Sequence, residues 1–234
     1  MIVSIMQPAY LPWLGYFDRV LRSDLLITLD HVAISVGDRN QFVNRNRIRT
    51  AQGWCWLTVP IRHSKGIRQP INQVEVADTM RWQVKHWRSI EACYRRAPYF
   101  DLVASALWPI YDRPWTNLLE VIEAVNGVLF QQLGITVPTR SSAEMNVESV
   151  KADLVVDLCK AAGASRYISG PFGRDYLDQT AFENANIELS FHDYRHPTYP
   201  QLFPGFEPFM SVIDLLFNHG PESLDILRNG ENTI

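Results

Sequence analysis

The chain of 234 residues lacks the long apolar runs that membrane proteins carry. A transmembrane helix needs about 18 consecutive apolar residues, and no stretch of the sequence approaches that length. The first residues, MIVSIMQP, also lack the basic region and the long apolar core of a secretory signal. We therefore expect a cytoplasmic protein with no membrane span.

The chain also has few cysteines and no excess of positive charge. The three cysteines, Cys55, Cys93 and Cys159, are odd in number and widely spaced, so they predict neither a disulfide framework nor a CxxC metal site. We expect reduced thiols in or near the core. Lysine and arginine number 22 against 25 aspartate and glutamate residues, a net charge of -3. Such a chain has no global cationic field, so nucleic acid is not expected as the main partner.

Strand and helix patterns alternate at both ends of the chain. Residues 2–6 predict a buried strand, Pro12 begins an amphipathic helix to about residue 22, and residues 25–29 predict a second strand. The last third predicts strands at 135–137, 166–169 and 187–191 and a helix at 147–162. This order is typical of an α/β protein whose ligands bind at the carboxyl ends of the strands.

The middle of the chain breaks this alternation. The short β-like runs QFVNRNRIRT, GWCWLTVPI and INQVEV lie between residues 41 and 76, as an antiparallel insertion or an extension of the sheet. Residues 79–133 form a helical middle region. The predicted fold class is α/β, a Rossmann-like, mostly parallel sheet with both insertions, in a single domain spanning residues 1–234.

Prolines and caps divide the helical region into three predicted helices. The interruptions fall at Pro98, Pro109 and Pro114. Thr116 is the predicted cap of the last helix, and Gly134 its carboxyl-terminal stop.

The loop after the first strand, residues 7–18, is rich in polar and aromatic groups. A loop that enters a helix presents free N–H groups and a positive dipole, which favour an anionic ligand. The predicted binding residues are Gln7, Tyr10, Trp13 and Tyr16, with Asp30 at the end of the next strand. In the alternative interpretation, Pro12 starts the helix while Trp13 and Phe17 face the core.

This loop also resembles the HxGH element of nucleotidyltransferase-like α/β proteins, in which two histidines flank a triphosphate. Trp13 and Tyr16 stand where those histidines would be. Nucleotidyl transfer by that mechanism is therefore not expected, although an anion can still bind there.

Arginines alternate within NRNRIR, residues 44–49. On a strand, Arg45, Arg47 and Arg49 point to one face, and planar guanidiniums bind phosphate through paired hydrogen bonds. We predict that Asn44, Arg45 and Arg47 hold a phosphate. A solvated edge strand whose positive charge prevents aggregation is the alternative.

Two glycines surround a Ser-Gly-Pro turn in the sequence SGPFGRDY. Glycine lets the backbone approach a phosphate or carboxylate closely. The predicted ligand-binding residues are Ser169, Gly170, Arg174, Asp175 and Tyr176. A plain turn between a strand and a helix is the alternative.

The segment HDYRHPTYPQ, residues 192–201, is dense in rings and polar groups. His196 is the predicted general base, oriented by Asp214, because histidine titrates near neutral pH. Tyr199 and Gln201 are predicted substrate contacts. His192 and His196 lie in an extended, proline-bounded segment, so no metal site is predicted. A structural role for His196 is the alternative.

Four motifs follow one another along the chain: QPAYLPWLGYF, NRNRI with WLTVPI, SGPFGRDYLD, and HPTYPQLFPGFEPFMSVIDLLFNHG. In these motifs and their order the chain resembles the WbqC-like family over nearly its whole length. The resemblance implies a cytoplasmic role in the synthesis of bacterial surface polysaccharide such as O-antigen. It also implies transfer of an amino acid, with glycine suggested, or an acyl group. Residues 33–40 depart from the regular polar-aromatic stretch expected there.

We therefore expect a transferase whose partners are a nucleotide- or lipid-linked sugar and an amino-acid or acyl donor. No metal is predicted, and the sequence identifies no cofactor. Two alternatives remain. One is an ATP-dependent ligase that adenylates the amino acid, and the other is a noncatalytic subunit that binds a sugar phosphate.

Overall fold

A computed structural model describes residues 1–34, 42–62, 69–77 and 81–229. The chain folds into two compact units. Unit 1 comprises Met1–Gln7, Tyr16–His31 and Val137–Tyr194, and unit 2 comprises Pro8–Gly15, Val32–Thr136 and Arg195–Ile234. Residues 33–40, where the sequence departs from the expected polar-aromatic stretch, lie mostly outside the described residues.

The described residues form seven strands and eight helices. The strands are β1 (Ile2–Met6), β2 (Leu25–Thr28), β3 (Arg45–Thr50), β4 (Gly53–Thr58), β5 (Thr139–Ser141), β6 (Arg166–Ser169) and β7 (Glu188–Phe191). The helices are α1 (Leu14–Leu21), α2 (Trp82–Tyr94), α3 (Phe100–Tyr111), α4 (Leu118–Gln132), α5 (Lys151–Ala161), α6 (Gln179–Asn184), α7 (Val212–His219) and α8 (Ser223–Arg228). None of these helices is both long and apolar enough to cross a lipid bilayer.

Unit 1 is built on a parallel sheet in the order β5-β2-β1-β6-β7. Strands are added first to one side of β1 and then to the other, which is the 3-2-1-4-5 order of a Rossmann-like sheet. Because such sheets are covered on both faces, their strands read as apolar runs. Val3, Ile5 and Met6 of β1 are buried, and so are Phe17 and Val20 of α1.

Unit 2 combines the antiparallel hairpin β3–β4 with most of the helices. Ile48 and Leu57 of the hairpin are buried. The ring of Phe217 on α7 stacks on Tyr94 of α2 and on Phe100 of α3, with centroids 4.8 and 5.4 Å apart. The core of unit 2 therefore contains a cluster of stacked rings.

The predicted fold class is confirmed: the protein is a mixed α/β structure with a five-stranded parallel sheet and several helices. The antiparallel segment forms a separate sheet, so it is an insertion and not an extension. The predicted run INQVEV contains no long strand, because Ile71–Gln73 forms a 3-10 turn after Pro70.

Several predicted boundaries are wrong by a few residues. Asn117, and not Thr116, caps α4, because Asn117 Oδ1 accepts the N–H of Leu119 at 2.7 Å. Pro109 lies inside α3 and does not interrupt it. Gly134 does end α4, with φ of 64°.

Two further elements begin later than predicted. The N–H of Ile135 donates to the carbonyl of Phe130, which wraps the end of α4, so the strand predicted at 135–137 begins only at Thr139. Val150 is extended, and α5 therefore begins at Lys151 instead of residue 147.

Candidate functional site

The order of strands in unit 1 reverses between β1 and β6. In open sheets of this kind, ligands bind outside the carboxyl ends of the strands where the order reverses. Gln7 follows β1 and is exposed, while Ser169 ends β6 and Gly170 follows it. We call Gln7, Ser169, Gly170 and the nearby Arg19 the switch edge.

Arg19, on α1, has no acidic partner among the described residues. Its Nε donates to Sδ of Met6, the last residue of β1, at 2.9 Å. Its electrostatic neighbours are the phenols of Tyr167, Tyr16 and Tyr176, which are uncharged near neutral pH. Burial lowers the pKa of the Arg19 guanidinium, but arginine remains charged in proteins. Since a partly buried charge is costly without a counter-ion, this half-buried cation favours a bound anion.

Gly170 and Gly173 are glycines because other groups approach them closely. A Cβ on Gly170 would lie 2.6 Å from Nη1 of Arg19, and a Cβ on Gly173 would overlap Oγ of Ser169. The buried Ser169 hydroxyl donates to the carbonyl of Gly170 at 3.1 Å. Gly170 thus lets the turn after β6 lie against the guanidinium of Arg19, and Gly173 leaves room for the Ser169 hydroxyl.

The 3-10 turn Pro171–Asp175 and the residue after it expose aromatic rings. Phe172 is 72% exposed and Tyr176 is 56% exposed. Exposed rings beside a charged group are suited to stacking on a base or a sugar. Asp175 is also exposed.

Arg174, in the same turn, differs from Arg19 because its charge is paired. Its guanidinium donates to both carboxylate oxygens of Asp193, at 2.9 and 2.7 Å, and lies 4.5 Å from the ring centroid of Phe191. The predicted ligand role of Arg174 would have to compete with this ion pair.

Asp30 is buried just after β2 and organises the end of β5. Its Oδ1 accepts from Oγ of Ser142 at 2.9 Å and from N–H of Ala143 at 3.1 Å, and its Oδ2 accepts from Oγ of Ser141 at 2.6 Å. Nδ1 of His31 lies 2.6 Å from Oγ of Ser142. The carboxylate predicted to bind substrate is thus engaged in three internal hydrogen bonds.

In unit 2, Asp214 is the centre of a buried network. Its Oδ1 accepts from Tyr94 Oη at 3.0 Å, and its Oδ2 accepts from Tyr199 Oη at 3.0 Å and from Gln201 Nε2 at 2.8 Å. Burial raises the pKa of Asp214, while these three hydrogen bonds and nearby Arg49 partly offset the rise. Three predicted site residues, Asp214, Tyr199 and Gln201, therefore meet in one network.

The ring of His196 packs beside Tyr199, a member of this network. Its Nδ1 donates to the carbonyl of Pro197 at 2.8 Å. Its ring packs against Tyr199, Phe206 and Phe209 at centroid distances of 6.1, 5.7 and 5.2 Å. Burial lowers the pKa of His196, so the neutral imidazole is favoured.

Tyr10 belongs to a second buried network in unit 2. His86 Nε2 donates to the carbonyl of Thr58 at 3.1 Å, so Nδ1 is the acceptor of a hydrogen bond from the Tyr10 hydroxyl at 2.9 Å. The Tyr10 hydroxyl then accepts from Tyr111 Oη at 2.7 Å. Burial lowers the pKa of His86 to about 4. Tyr10 is fully buried, so it is placed to support the fold.

The predicted arginine face of β3 is occupied by tryptophan rings from β4. The guanidinium of Arg45 lies 4.5 Å from the ring centroid of Trp56, and that of Arg47 lies 5.1 Å from Trp54. Arg49 instead donates to three backbone carbonyls. These arginines therefore help to hold the hairpin and the loops around it.

Two other residues predicted to bind ligand also have structural contacts in unit 2. Asn44 Nδ2 donates to the carbonyl of Val59 at 2.8 Å. The ring of Trp13 packs against Phe42 with centroids 5.1 Å apart. Their proposed ligand contacts remain predictions.

The predicted site residues are divided between the two units. Unit 1 contains Gln7, Tyr16, Asp30, Ser169, Gly170, Arg174, Asp175 and Tyr176. Unit 2 contains Tyr10, Trp13, Asn44, Arg45, Arg47, His196, Tyr199, Gln201 and Asp214.

Sequence reasoning missed Arg19 and its neighbour Asp18. Their signal was a charged pair inside the otherwise apolar helix LGYFDRVL. Sequence reasoning also considered His192 only as a metal ligand. Among the described residues, no group of three His, Cys, Asp or Glu side chains converges as a metal site.

Comparison with known proteins gives one family. The model of the WbqC-like protein family matches residues 7–226. The chain is also 36% identical, over 228 residues, to "Uncharacterized protein Rv1507c" of Mycobacterium tuberculosis, and the alignment covers 97% of each chain. No solved structure gives a significant match.

Proposed function

The chain belongs to the WbqC-like protein family, and we propose that it is a transferase acting on a phosphate-bearing sugar. The sugar is linked to a nucleotide or a lipid and receives an amino acid or another acyl group. The observation that carries the proposal is Arg19, a guanidinium at the switch edge with no acidic partner among the described residues.

A diphosphate would supply the counter-ion that Arg19 lacks. Guanidinium binds phosphate oxygens through parallel hydrogen bonds, and a hydrogen bond to a charged group contributes about 1.5–3 kcal/mol. Phe172 and Tyr176 offer exposed rings to the base or sugar. The exposed amide of Gln7 can donate to and accept from sugar hydroxyls.

The binding test uses inorganic pyrophosphate and UDP as probes, measured by calorimetry and by thermal shift. Either probe at 100 times its Kd should stabilise the folded protein by about 2.7 kcal/mol. Arg19→Gln should weaken binding by about tenfold to a hundredfold. Tighter binding of UDP favours a nucleotide-linked sugar, and equal binding favours a lipid-linked diphosphate.

Arg166→Gln is the matched control for that variant. Arg166 begins β6, at the opposite end from the switch edge, and is paired with Glu188 at 2.7 Å. It loses the same charge and should bind both probes as the unaltered protein does. Equal affinity of Arg19→Gln and the unaltered protein would overturn the proposed anion site.

Group transfer is tested with the purified chain, a UDP-linked amino sugar and a glycyl thioester. A transferase should add one glycyl group to the sugar, which mass spectrometry detects. Probe binding without any transfer would favour the noncatalytic binding subunit.

An adenylating ligase is the second candidate. It is favoured by the Rossmann-like strand order and by the resemblance of the loop after β1 to nucleotidyltransferase-like proteins. It predicts ATP-dependent release of pyrophosphate in the presence of an amino acid. Failure of every amino acid to elicit release would remove it.

A further inference from the structure

Asp18 and His192 form a buried hydrogen-bonded pair in unit 1. His192 follows β7, and its Nε2 lies 2.5 Å from Oδ2 of Asp18 on α1. The same oxygen accepts from Nε of Arg22 at 2.8 Å. Burial by itself would raise the pKa of Asp18, but the hydrogen bonds from His192 and Arg22 outweigh it and the pKa is lowered. Asp18 is therefore a carboxylate near neutral pH.

This contact determines which imidazole nitrogen carries the proton. A carboxylate only accepts hydrogen bonds, so Nε2 of His192 is the donor. In the neutral ring, Nδ1 therefore keeps its lone pair. Nδ1 has no hydrogen-bond partner among the described residues, and 8% of the His192 side chain remains exposed.

The pair lies at the same end of the sheet as the switch edge. The N–H of His192 donates to the carbonyl of Ser169 at 2.8 Å. Asp18 directly precedes Arg19 in α1. An imidazole held by a carboxylate beside a bound substrate is the arrangement that general-base catalysis requires.

We propose that His192 is the general base of the transferase and that Asp18 positions it, an inference that rests on the proposed function. The sequence-based prediction assigned this role to His196, which packs among three rings and donates from Nδ1 to a backbone carbonyl. His192 differs because its hydrogen-bonded partner is a carboxylate.

The reaction conserves atoms and electrons as follows. The O–H or N–H bond of the sugar breaks, and its electron pair forms a bond to the carbonyl carbon of a thioester or mixed-anhydride acyl donor. The proton moves to Nδ1 of His192. The bond from the carbonyl carbon to the leaving group breaks with its electron pair, and Nδ1 returns the proton to that group. Asp18 stabilises the imidazolium in between.

The test maps histidine modification by diethyl pyrocarbonate, which acylates accessible unprotonated imidazole nitrogens. Mass spectrometry should find the adduct on His192. UDP at ten times its Kd should slow this modification about tenfold by occupying the site. His219, a partly exposed histidine whose Nε2 donates to the carbonyl of Pro200, is the internal control, and its modification should be unaffected by UDP.

Asp18→Asn tests the positioning role through the 15N magnetic resonance shifts of the His192 imidazole, which report its tautomer. Loss of the carboxylate should move His192 from a single Nε2–H tautomer toward a mixture of both tautomers, because a neutral amide no longer requires Nε2 to be the donor. The other charged or titratable groups around His192 are Arg22, Asp193, Tyr194 and Arg174, and the variant retains them all. Circular dichroism checks that the variant is folded.

The outcomes separate this inference from the proposed function. Calorimetric binding of UDP with no protection of His192 would overturn the general base and leave the anion site standing. An unchanged Nε2–H tautomer in folded Asp18→Asn would remove Asp18 as the positioning residue. If that variant does not fold, protection of His192 in the unaltered protein still decides its role. Absence of UDP and pyrophosphate binding would overturn the proposed function and this inference with it.

Discussion

The switch edge of unit 1 and the Asp214 network of unit 2 differ in how their charged groups are compensated: Arg19 is half-buried, and Asp214 is fully buried. Arg19 is surrounded by neutral phenols and has no acidic partner among the described residues. Asp214 accepts hydrogen bonds from Tyr94, Tyr199 and Gln201. Glycine at position 170 also leaves room for the Arg19 guanidinium.

This difference distinguishes a group that binds a ligand from a group that stabilises the fold. A buried charge whose hydrogen bonds are all made within the protein stabilises a particular packing, and its removal leaves its partners unsatisfied. A partly buried charge without a counter-ion is stabilised when an anion binds beside it. We therefore expect substitutions in the Asp214 network to change stability, and substitutions at the switch edge to change ligand binding.

The largest expected effect is on stability, from Asp214→Ala. The change leaves two tyrosine hydroxyls and one amide without their acceptor, so we expect a loss of about 3–5 kcal/mol in the free energy of unfolding. Urea denaturation measures it. Asp214→Asn retains one acceptor oxygen and should lose less. Unaltered stability of Asp214→Ala would contradict the supporting role of this network.

The buried His86 predicts an acid-dependent loss of similar size. Its pKa is about 4 in the folded protein against an ordinary 6.5, so the unfolded chain binds the proton first as the pH falls. The stability that His86 contributes is complete above pH 6.5 and is lost toward pH 4, by about 3 kcal/mol. Urea denaturation across this range should show a shallower pH dependence for His86→Gln. The same pH dependence of unfolding free energy in His86→Gln and in the unaltered protein would contradict the prediction.

Gly170→Ala should affect binding more than stability. The added methyl group displaces the flexible end of Arg19, so we expect pyrophosphate affinity to fall about tenfold, or about 1.4 kcal/mol, with little change in Tm. Gly127→Ala, in α4, is the control because its Cβ meets no atom within 4 Å. Unchanged affinity of Gly170→Ala would mean that the approach of Arg19 to this turn does not matter for the ligand.

The smallest expected effect is that of Arg45→Ala. Its guanidinium packs on Trp56, and because Arg45 is half-buried, this cation–π contact should contribute about 1 kcal/mol. We expect a loss of this size in the free energy of unfolding and no change in pyrophosphate affinity. A tenfold loss of pyrophosphate affinity would instead indicate that the phosphate binds at the arginine face of β3.

Much of the fold was predictable because it depends on local patterns. The buried run at residues 2–6, the strand at 166–169 and the glycine stop at 134 each follow from nearby residues. The errors at helix and strand boundaries depend on backbone conformation and on individual hydrogen bonds, which composition does not reveal. Asn117, for example, captures N–H groups that Thr116 was expected to cap.

The candidate site was predicted less completely. The turn containing Ser169 and Gly170 was recognised from its glycines, because glycine indicates a close approach. Its partner Arg19 lies about 150 positions away in sequence, and only the pairing of β1 with β6 brings the two strands together. Likewise, the sequence does not reveal that the Asp18 carboxylate accepts a hydrogen bond from His192.

Nuclear magnetic resonance of the arginine Nε–H groups during a pyrophosphate titration tests the central claim most directly. Arg19→Lys identifies the Arg19 signal by its loss. We expect that signal to shift and saturate while the signals of Arg47 and Arg49 stay in place. A saturating shift at Arg47 with an unmoved Arg19 signal would contradict an anion site at the switch edge.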